Sequence, residues 1–257
     1  MPSQTEAPSQ TETRRHDGTP RLLDAGEAAL VAEFGTIVDP AISDRVLALE
    51  DALAADSLPG ILETVPTYRS LMIHYDPLML DRETLAGHVR GLTGGAIRRA
   101  AAPARWVLPC CYDAPHGEDL AAVAELIGRT PAQVAALHQG GTYRVYMYGF
   151  APGFAYLGGL PEPLAVKRRP SPRPPHPTNA VMVGGGLAAV ATVPMPTGWY
   201  VLGATPSKLY APERVESFFV RPGDEIRFEA IDAASYAGLA AREAAGERVA
   251  RREEASR

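Results

Sequence analysis

The chain has 257 residues, of which 46% are hydrophobic and 21% charged, and it exceeds the roughly 100 to 150 residues of a typical domain, so two modest domains are predicted. Its formal net charge of -5 is the reverse of the basic footprint that a nucleic-acid backbone demands. No apolar run approaches the roughly 18 residues of a membrane span, so neither nucleic acid nor the bilayer is an expected partner.

Residues 1–20 are polar and lack the apolar stretch of a secretory signal, so they are predicted to form a disordered tail on a cytoplasmic protein. From 21 to 34 the apolar residues cluster around an Ala/Gly/Glu break, which fits two short strands or a strand and a helical turn. Asp39 before Pro40 is a helix start, and Ile42, Val46, Leu49 and Leu53 follow near a 3.6-residue period up to Pro59-Gly60. Residues 61–66 and 68–76 read as a hairpin, the second run alternating Leu71, Ile73 and Tyr75. Asp81 opens a second amphipathic helix, closed by Gly94 and Gly95. These elements make an N-terminal α+β domain over 21–97, followed by a linker at 98–104 that contains Pro103.

A strand over 106–113 and a helix over 119–128 come next. Then Thr130-Pro131-Ala132-Gln133 forms a capping box that starts a short helix ending near His138. Beyond Tyr143, short β-prone runs alternate with Gly and Pro turns, which predicts a closed or nearly closed antiparallel barrel over 105–232. The segment 233–257 is rich in Ala, Glu and Arg, and is predicted as a helix that buries little and frays after about Ala245.

Cys110 and Cys111 are adjacent, a spacing that permits no unstrained mutual disulfide, and no CxxC or Cys/His cluster suggests a metal. They read as small buried hydrophobes, and His74 and His88 as structural. GxSxG, GxxxxGK[ST] and HExxH are all absent, which disfavours a self-contained hydrolase or ATPase.

The loop GFAPGFAYLGGLPEP sets Gly153, Phe154 and Tyr156 among tight turns, where a ligand can approach the backbone closely. The run KRRPSPRPPHP stiffens the chain around Arg168, Arg169 and Arg173, whose guanidinium forks suit a carboxylate, bicarbonate or phosphate. Arg169 and Arg173 are the preferred ligands. His138 precedes the strand leading to the aromatic loop and is a candidate general base or acid. Gly185 and Gly186 offer another open stretch of backbone, whereas Trp199 reads as core.

Several motifs resemble one family: VPTYRSLMIHYDP at 65–77, LPCCYD at 108–113, LH at 137–138, GFAPGFAYLGGL at 149–160, RRPSPR at 168–173, GWYVLGATP at 198–206 and RPGDEIRF at 221–228. They are similar to the allophanate hydrolase subunit 1 family, also described as the B subunit of 5-oxoprolinase, a carboxyltransferase-domain family with kinase-inhibitor relatives. The resemblance implies an α+β chain, with a small ferredoxin-like N-terminal domain before a cyclophilin-like β-barrel. It also implies a C-type partner (subunit 2) of related fold, a LamB/YcsF-type A component, and ATP-dependent opening of 5-oxo-L-proline to L-glutamate, with ATP required by the assembly and held by this chain or by a partner. Alternatives within the family are a kinase-binding regulator and a biotin-dependent urea carboxylase or allophanate hydrolase component. On this resemblance His138, Arg169 and Arg173 are the catalytic candidates. Gly153, Phe154, Tyr156, Gly185 and Gly186 are the substrate-binding candidates for a small amide or carboxylate. The chain departs from the family at Leu187, Ala191 and Ala204, where glutamine, tyrosine and arginine are usual; this removes polar groups from the presumed pocket.

Overall fold

The computed structural model describes residues 19–253 apart from position 96. The predicted disordered tail falls, up to residue 18, outside the described residues.

The first unit contains β1 (Arg21–Asp24), β2 (Ala29–Glu33), α1 (Pro40–Ala55), β3 (Ile61–Pro66), β4 (Ser70–Tyr75) and α2 (Arg82–Thr93). Asp39 starts α1 by accepting the N–H groups of Ala41 at 2.8 Å and Ile42 at 3.2 Å, and Asp81 starts α2 by accepting that of Thr84 at 2.9 Å. The four strands form an antiparallel sheet in the order β1-β2-β4-β3. Along β4 the alternation expected from the sequence holds, with Leu71, Ile73 and Tyr75 buried beneath Leu49, Leu53, Leu85 and Val89 of the two helices. The order of elements differs from the expected ferredoxin-like β-α-β-β-α-β: the chain runs β-β-α-β-β-α. The outer strand beside β2 comes from an N-terminal hairpin, because 21–34 forms two strands and nothing extended follows α2 in this sheet.

The second unit comprises β5 (Arg105–Cys111), α3 (Leu120–Leu126), α4 (Pro131–Gln139), β6 (Tyr143–Tyr148), β7 (Ala155–Gly158), β8 (Ala180–Gly184), β9 (Leu187–Ala191), β10 (Tyr200–Ala204), β11 (Glu225–Ile231), α5 (Ala233–Ala244) and β12 (Arg251–Glu253). Seven strands close into a barrel in the order β10-β8-β9-β7-β6-β11-β5, sealed where Ala204 pairs with Cys111. The barrel is not wholly antiparallel. β5 and β11 run parallel from Arg105↔Glu225 to Cys111↔Ile231, since no hairpin joins them to impose the opposite direction.

The C-terminal segment also departs from expectation. After α5 the chain does not fray but returns as β12, antiparallel to β5. Buried Glu243 on α5 ties the region together, accepting the Val249 N–H at 3.0 Å and pairing with Arg214 at 2.8 Å.

Alternation along the strands places the two faces of the barrel wall. Val181, Val183, Ala188, Val190 and Leu202 join Leu108, Val145, Leu157 and Phe228 in the interior cluster. Their neighbours Met182, Ala189, Ala191 and Val201 form a second cluster with Phe154 and Trp199, so the aromatic loop covers the outer face of β8, β9 and β10 instead of plugging the barrel. Both cysteines are free and buried. No helix among the described residues is long and apolar enough to cross a membrane.

Candidate functional site

The loop between β6 and β7 folds on itself, the Gly149 N–H donating to the Phe154 carbonyl at 3.1 Å and the Phe154 N–H to that of Ala151 at 3.0 Å. Gly153 has φ +73°, and a Cβ there would lie 2.4 Å from Cβ of Tyr210, so the turn admits no side chain. Phe150 adopts φ 70° without being glycine, and the residue is 79% exposed. A non-glycine residue in the left-handed region is strained, and such strain gathers where it serves binding.

From this loop an aromatic wall spreads over the barrel. Phe150 meets Phe154 at 5.8 Å between ring centroids, Phe154 meets Tyr156 at 4.8 Å and Trp199 at 6.3 Å, and Tyr156 meets Trp199 at 6.4 Å. Phe154 and Trp199 are buried and Tyr156 is half-buried, so the first two support the wall that Tyr156 presents. The first unit contributes Tyr68, from the turn between β3 and β4, at 5.2 Å from Tyr146 and 6.0 Å from Tyr156. Its hydroxyl is buried and has no hydrogen-bond partner among the described residues, and burial pushes its pKa up.

The structure divides the arginines differently from the sequence expectation. Arg169 and Arg173, expected as an open anion clamp, are both engaged by Asp119: Arg169 Nη1 donates to Oδ1 at 3.0 Å and Arg173 Nη1 to Oδ2 at 2.6 Å. Arg173 also pairs with Glu118, and Asp119 Oδ2 accepts the Val201 N–H at 2.8 Å. These arginines fasten the Pro-rich loop to the start of α3 and to β10. Arg168 is exposed instead, its guanidinium 5.0 Å from the Trp199 ring centroid, with no carboxylate partner among the described residues. It is the available cation beside the aromatic wall.

His138 is not at an open barrel mouth. It is fully buried at the end of α4, against Tyr143 at 5.0 Å and Phe228 at 4.8 Å, with Nδ1 2.7 Å from the Tyr112 hydroxyl. Burial lowers its pKa from 6.5 to about 3, so the ring stays neutral and packs as an interior polar group. None of its described contacts is with Phe154, Tyr156, Arg169 or Arg173.

Gly185 and Gly186 form the two-residue turn between β8 and β9, with φ +63° and +79°. Positive φ at both positions matches the right-handed twist of the flanking strands. The Gly185 N–H is taken by the Val166 carbonyl at 2.8 Å, while Arg168 lies alongside and Gly186 faces open space. Of the three departures, Ala191 lies in the outer cluster behind the aromatic wall, Ala204 sits buried at the barrel seam, and Leu187 is half-buried at the start of β9.

The structure thus brings together Phe154, Tyr156, Trp199 and Arg168, adds Tyr68, and leaves His138 apart. Tyr68 and Asp119 carried no local sequence signal, because Asp119 lies 50 residues from Arg169 and Tyr68 joins the wall from another sheet.

Residues 20–220 match the family described as carboxyltransferase domain, subdomain C and D. The chain belongs to this family. Within it, the chain is 31% identical over 222 residues to the 5-oxoprolinase B subunit of Bacillus subtilis (strain 168), covering 82% of this chain and 92% of the relative. It is 34% identical over 207 residues to the protein of the same name from Escherichia coli O157:H7, covering 79% and 92%. The solved structure of TTHA0988 superposes with a TM-score of 0.71 at 39% identity, over 80% of this chain and 40% of that one. The Kluyveromyces lactis urea carboxylase shares the fold, with a TM-score of 0.74 at 16% identity over 95% of this chain and 25% of that one. This carboxyltransferase-domain chain therefore matches almost the whole length of these two curated relatives.

Proposed function

We propose that this chain is the B-type component of an ATP-dependent 5-oxoprolinase, a hydrolase system that opens 5-oxo-L-proline to L-glutamate together with a C-type homologue and a LamB/YcsF-type A component. The observation that carries this reading is the similarity to two curated proteins named as 5-oxoprolinase B subunits across 92% of each.

The geometry suits that substrate. A five-membered lactam is flat and carries one carboxylate, so its face can lie against Tyr156 while Arg168 takes the carboxylate. ATP supplies the driving force at the level of the assembly; the residues described on this chain bind and orient the lactam. Exposed Phe150, held in a strained backbone at the edge of the wall, is the contact offered to the C-type partner.

The test is reconstitution. The purified chain with its A-type and C-type partners should form glutamate from 5-oxoproline only when ATP is present. A complex that assembles yet yields no ATP-dependent glutamate rejects the reading.

A further inference from the structure

A concave feature lies where α1, the segment after α2 and β6 meet, beside Tyr146, whose ring lies 5.7 Å from the Arg144 guanidinium. It is a cleft of ≈ 500 Å³ whose lining includes Arg45, Arg98, Arg99 and Arg144, with Asp44 as the lining acid. Three of these guanidinium groups, on Arg98, Arg99 and Arg144, run against the overall charge of -5, while that of Arg45 lies 4.7 Å from the Phe34 ring centroid. Two acids lie nearby: Asp51 accepts the Ala100 N–H at 2.8 Å, and Glu50 accepts from the Thr64 hydroxyl at 3.3 Å. Burial raises the pKa of Glu50, and the Arg99 charge opposes that shift.

Arg144 Nη2 donates to Asp44 at 2.6 Å, but its Nε is buried with no acceptor among the described residues. Arg99 Nη2 reaches the Pro222 carbonyl at 3.3 Å, and its Nε and Nη1 are likewise buried without an acceptor. Unsatisfied buried charged donors are costly. An anion in the cleft does not reach these buried atoms, but it offsets the mutual repulsion of the guanidinium groups. The same segment that carries Arg98 and Arg99 also lines the cleft with the apolar residues Ile97, Ala101 and Pro103. The volume falls within the roughly 300 to 1,000 Å³ of small-molecule sites, more than a bare tetrahedral anion needs.

We infer that this cleft binds a phosphate ester, its phosphoryl oxygens held by Arg98 and the neighbouring guanidinium groups and its organic portion laid against the Ile97–Pro103 wall. Planar guanidinium forks match phosphoryl oxygens in pairs. Because α1 belongs to the first unit and β6 to the barrel, the same ligand bridges the two units.

Phenyl phosphate and inorganic phosphate, which differ by one apolar ring, test the site by calorimetric titration of the whole chain. Phenyl phosphate should bind saturably and about tenfold more tightly than inorganic phosphate. Arg98 is exposed, so Arg98→Ala should keep the melting temperature and weaken phenyl phosphate binding by about tenfold, whereas Arg252→Ala on exposed β12 should not. Arg98→Gln serves in place of the alanine variant if that one melts early. Absence of saturable phenyl phosphate binding, equal affinity for both probes, or an Arg98 variant that binds like the parent would each overturn the proposal.

Discussion

Asp119 holds Arg173 at 2.6 Å, carboxylate to guanidinium, with both side chains about nine-tenths buried. The same carboxylate also anchors Arg169 and the Val201 N–H. Asp119→Asn removes the charge that Arg169 and Arg173 share, while Glu118 still pairs with Arg173, so it should destabilise the fold by about 2 kcal/mol. Urea denaturation measures this, and a loss below about 1 kcal/mol would show that the network is not holding the Pro-rich loop.

That network separates two arginines adjacent in sequence. Arg169→Ala should lower stability, because Arg169 is part of the Asp119 cluster. Arg168→Ala should leave stability within about 0.5 kcal/mol, since Arg168 is exposed, yet raise KM for 5-oxoproline in the reconstituted assembly by about tenfold. An unchanged KM for the Arg168 variant would remove Arg168 from the proposed site.

Much of the fold was legible because local chemistry decided it. The Asp39 and Asp81 caps, the Thr130–Gln133 capping box and the alternation of Leu71, Ile73 and Tyr75 all depend on neighbours a few residues apart. The parallel β5–β11 pair and the return of β12 depend on partners more than 100 residues away, which no local pattern encodes. The site divides in the same way. The ring-bearing loop was visible as a Gly/Pro/aromatic run, but the sequence does not say that Arg169 and Arg173 meet Asp119 while Arg168 does not. His138 looked accessible at a helix end, yet that end abuts the barrel core.

His138 gives stability a defined pH dependence. Its folded pKa is about 3, below the ordinary 6.5, so at pH below 6.5 the unfolded chain gains a proton that the folded chain refuses. Its contribution is therefore complete above 6.5 and is lost as pH falls from 6.5 towards 3, by up to about 1.4 kcal/mol per unit. His138→Gln should flatten the slope over that window. Parallel curves for variant and parent would show that the buried ring is not the source.

The glycines of the site differ in what they tolerate. Gly153→Ala meets Cβ of Tyr210 at 2.4 Å and Thr192 Cγ2 at 2.9 Å, and adds left-handed strain, so it should cost more than about 2 kcal/mol. Gly186→Ala meets nothing within 4 Å and should cost only the strain of its positive φ, about 1 kcal/mol. Thermal denaturation of the two variants ranks them, and equal losses would contradict the packing of the aromatic loop against Tyr210.

Tyr68 distinguishes a packing role from a polar one. Its ring meets Tyr146 and Tyr156 across the two units, while its buried hydroxyl has no partner among the described residues. Deleting an unpaired buried hydroxyl removes a desolvation cost, so Tyr68→Phe should leave stability unchanged or raise it by up to about 1 kcal/mol. Tyr68→Ala removes the ring itself and should cost about 3 kcal/mol. If the hydroxyl donates to bound lactam, Tyr68→Phe will raise KM in the reconstituted assembly although the protein is no less stable. A Tyr68→Phe variant that is clearly less stable would mean that the hydroxyl is already hydrogen-bonded within the fold, and would take it out of consideration as a donor to substrate.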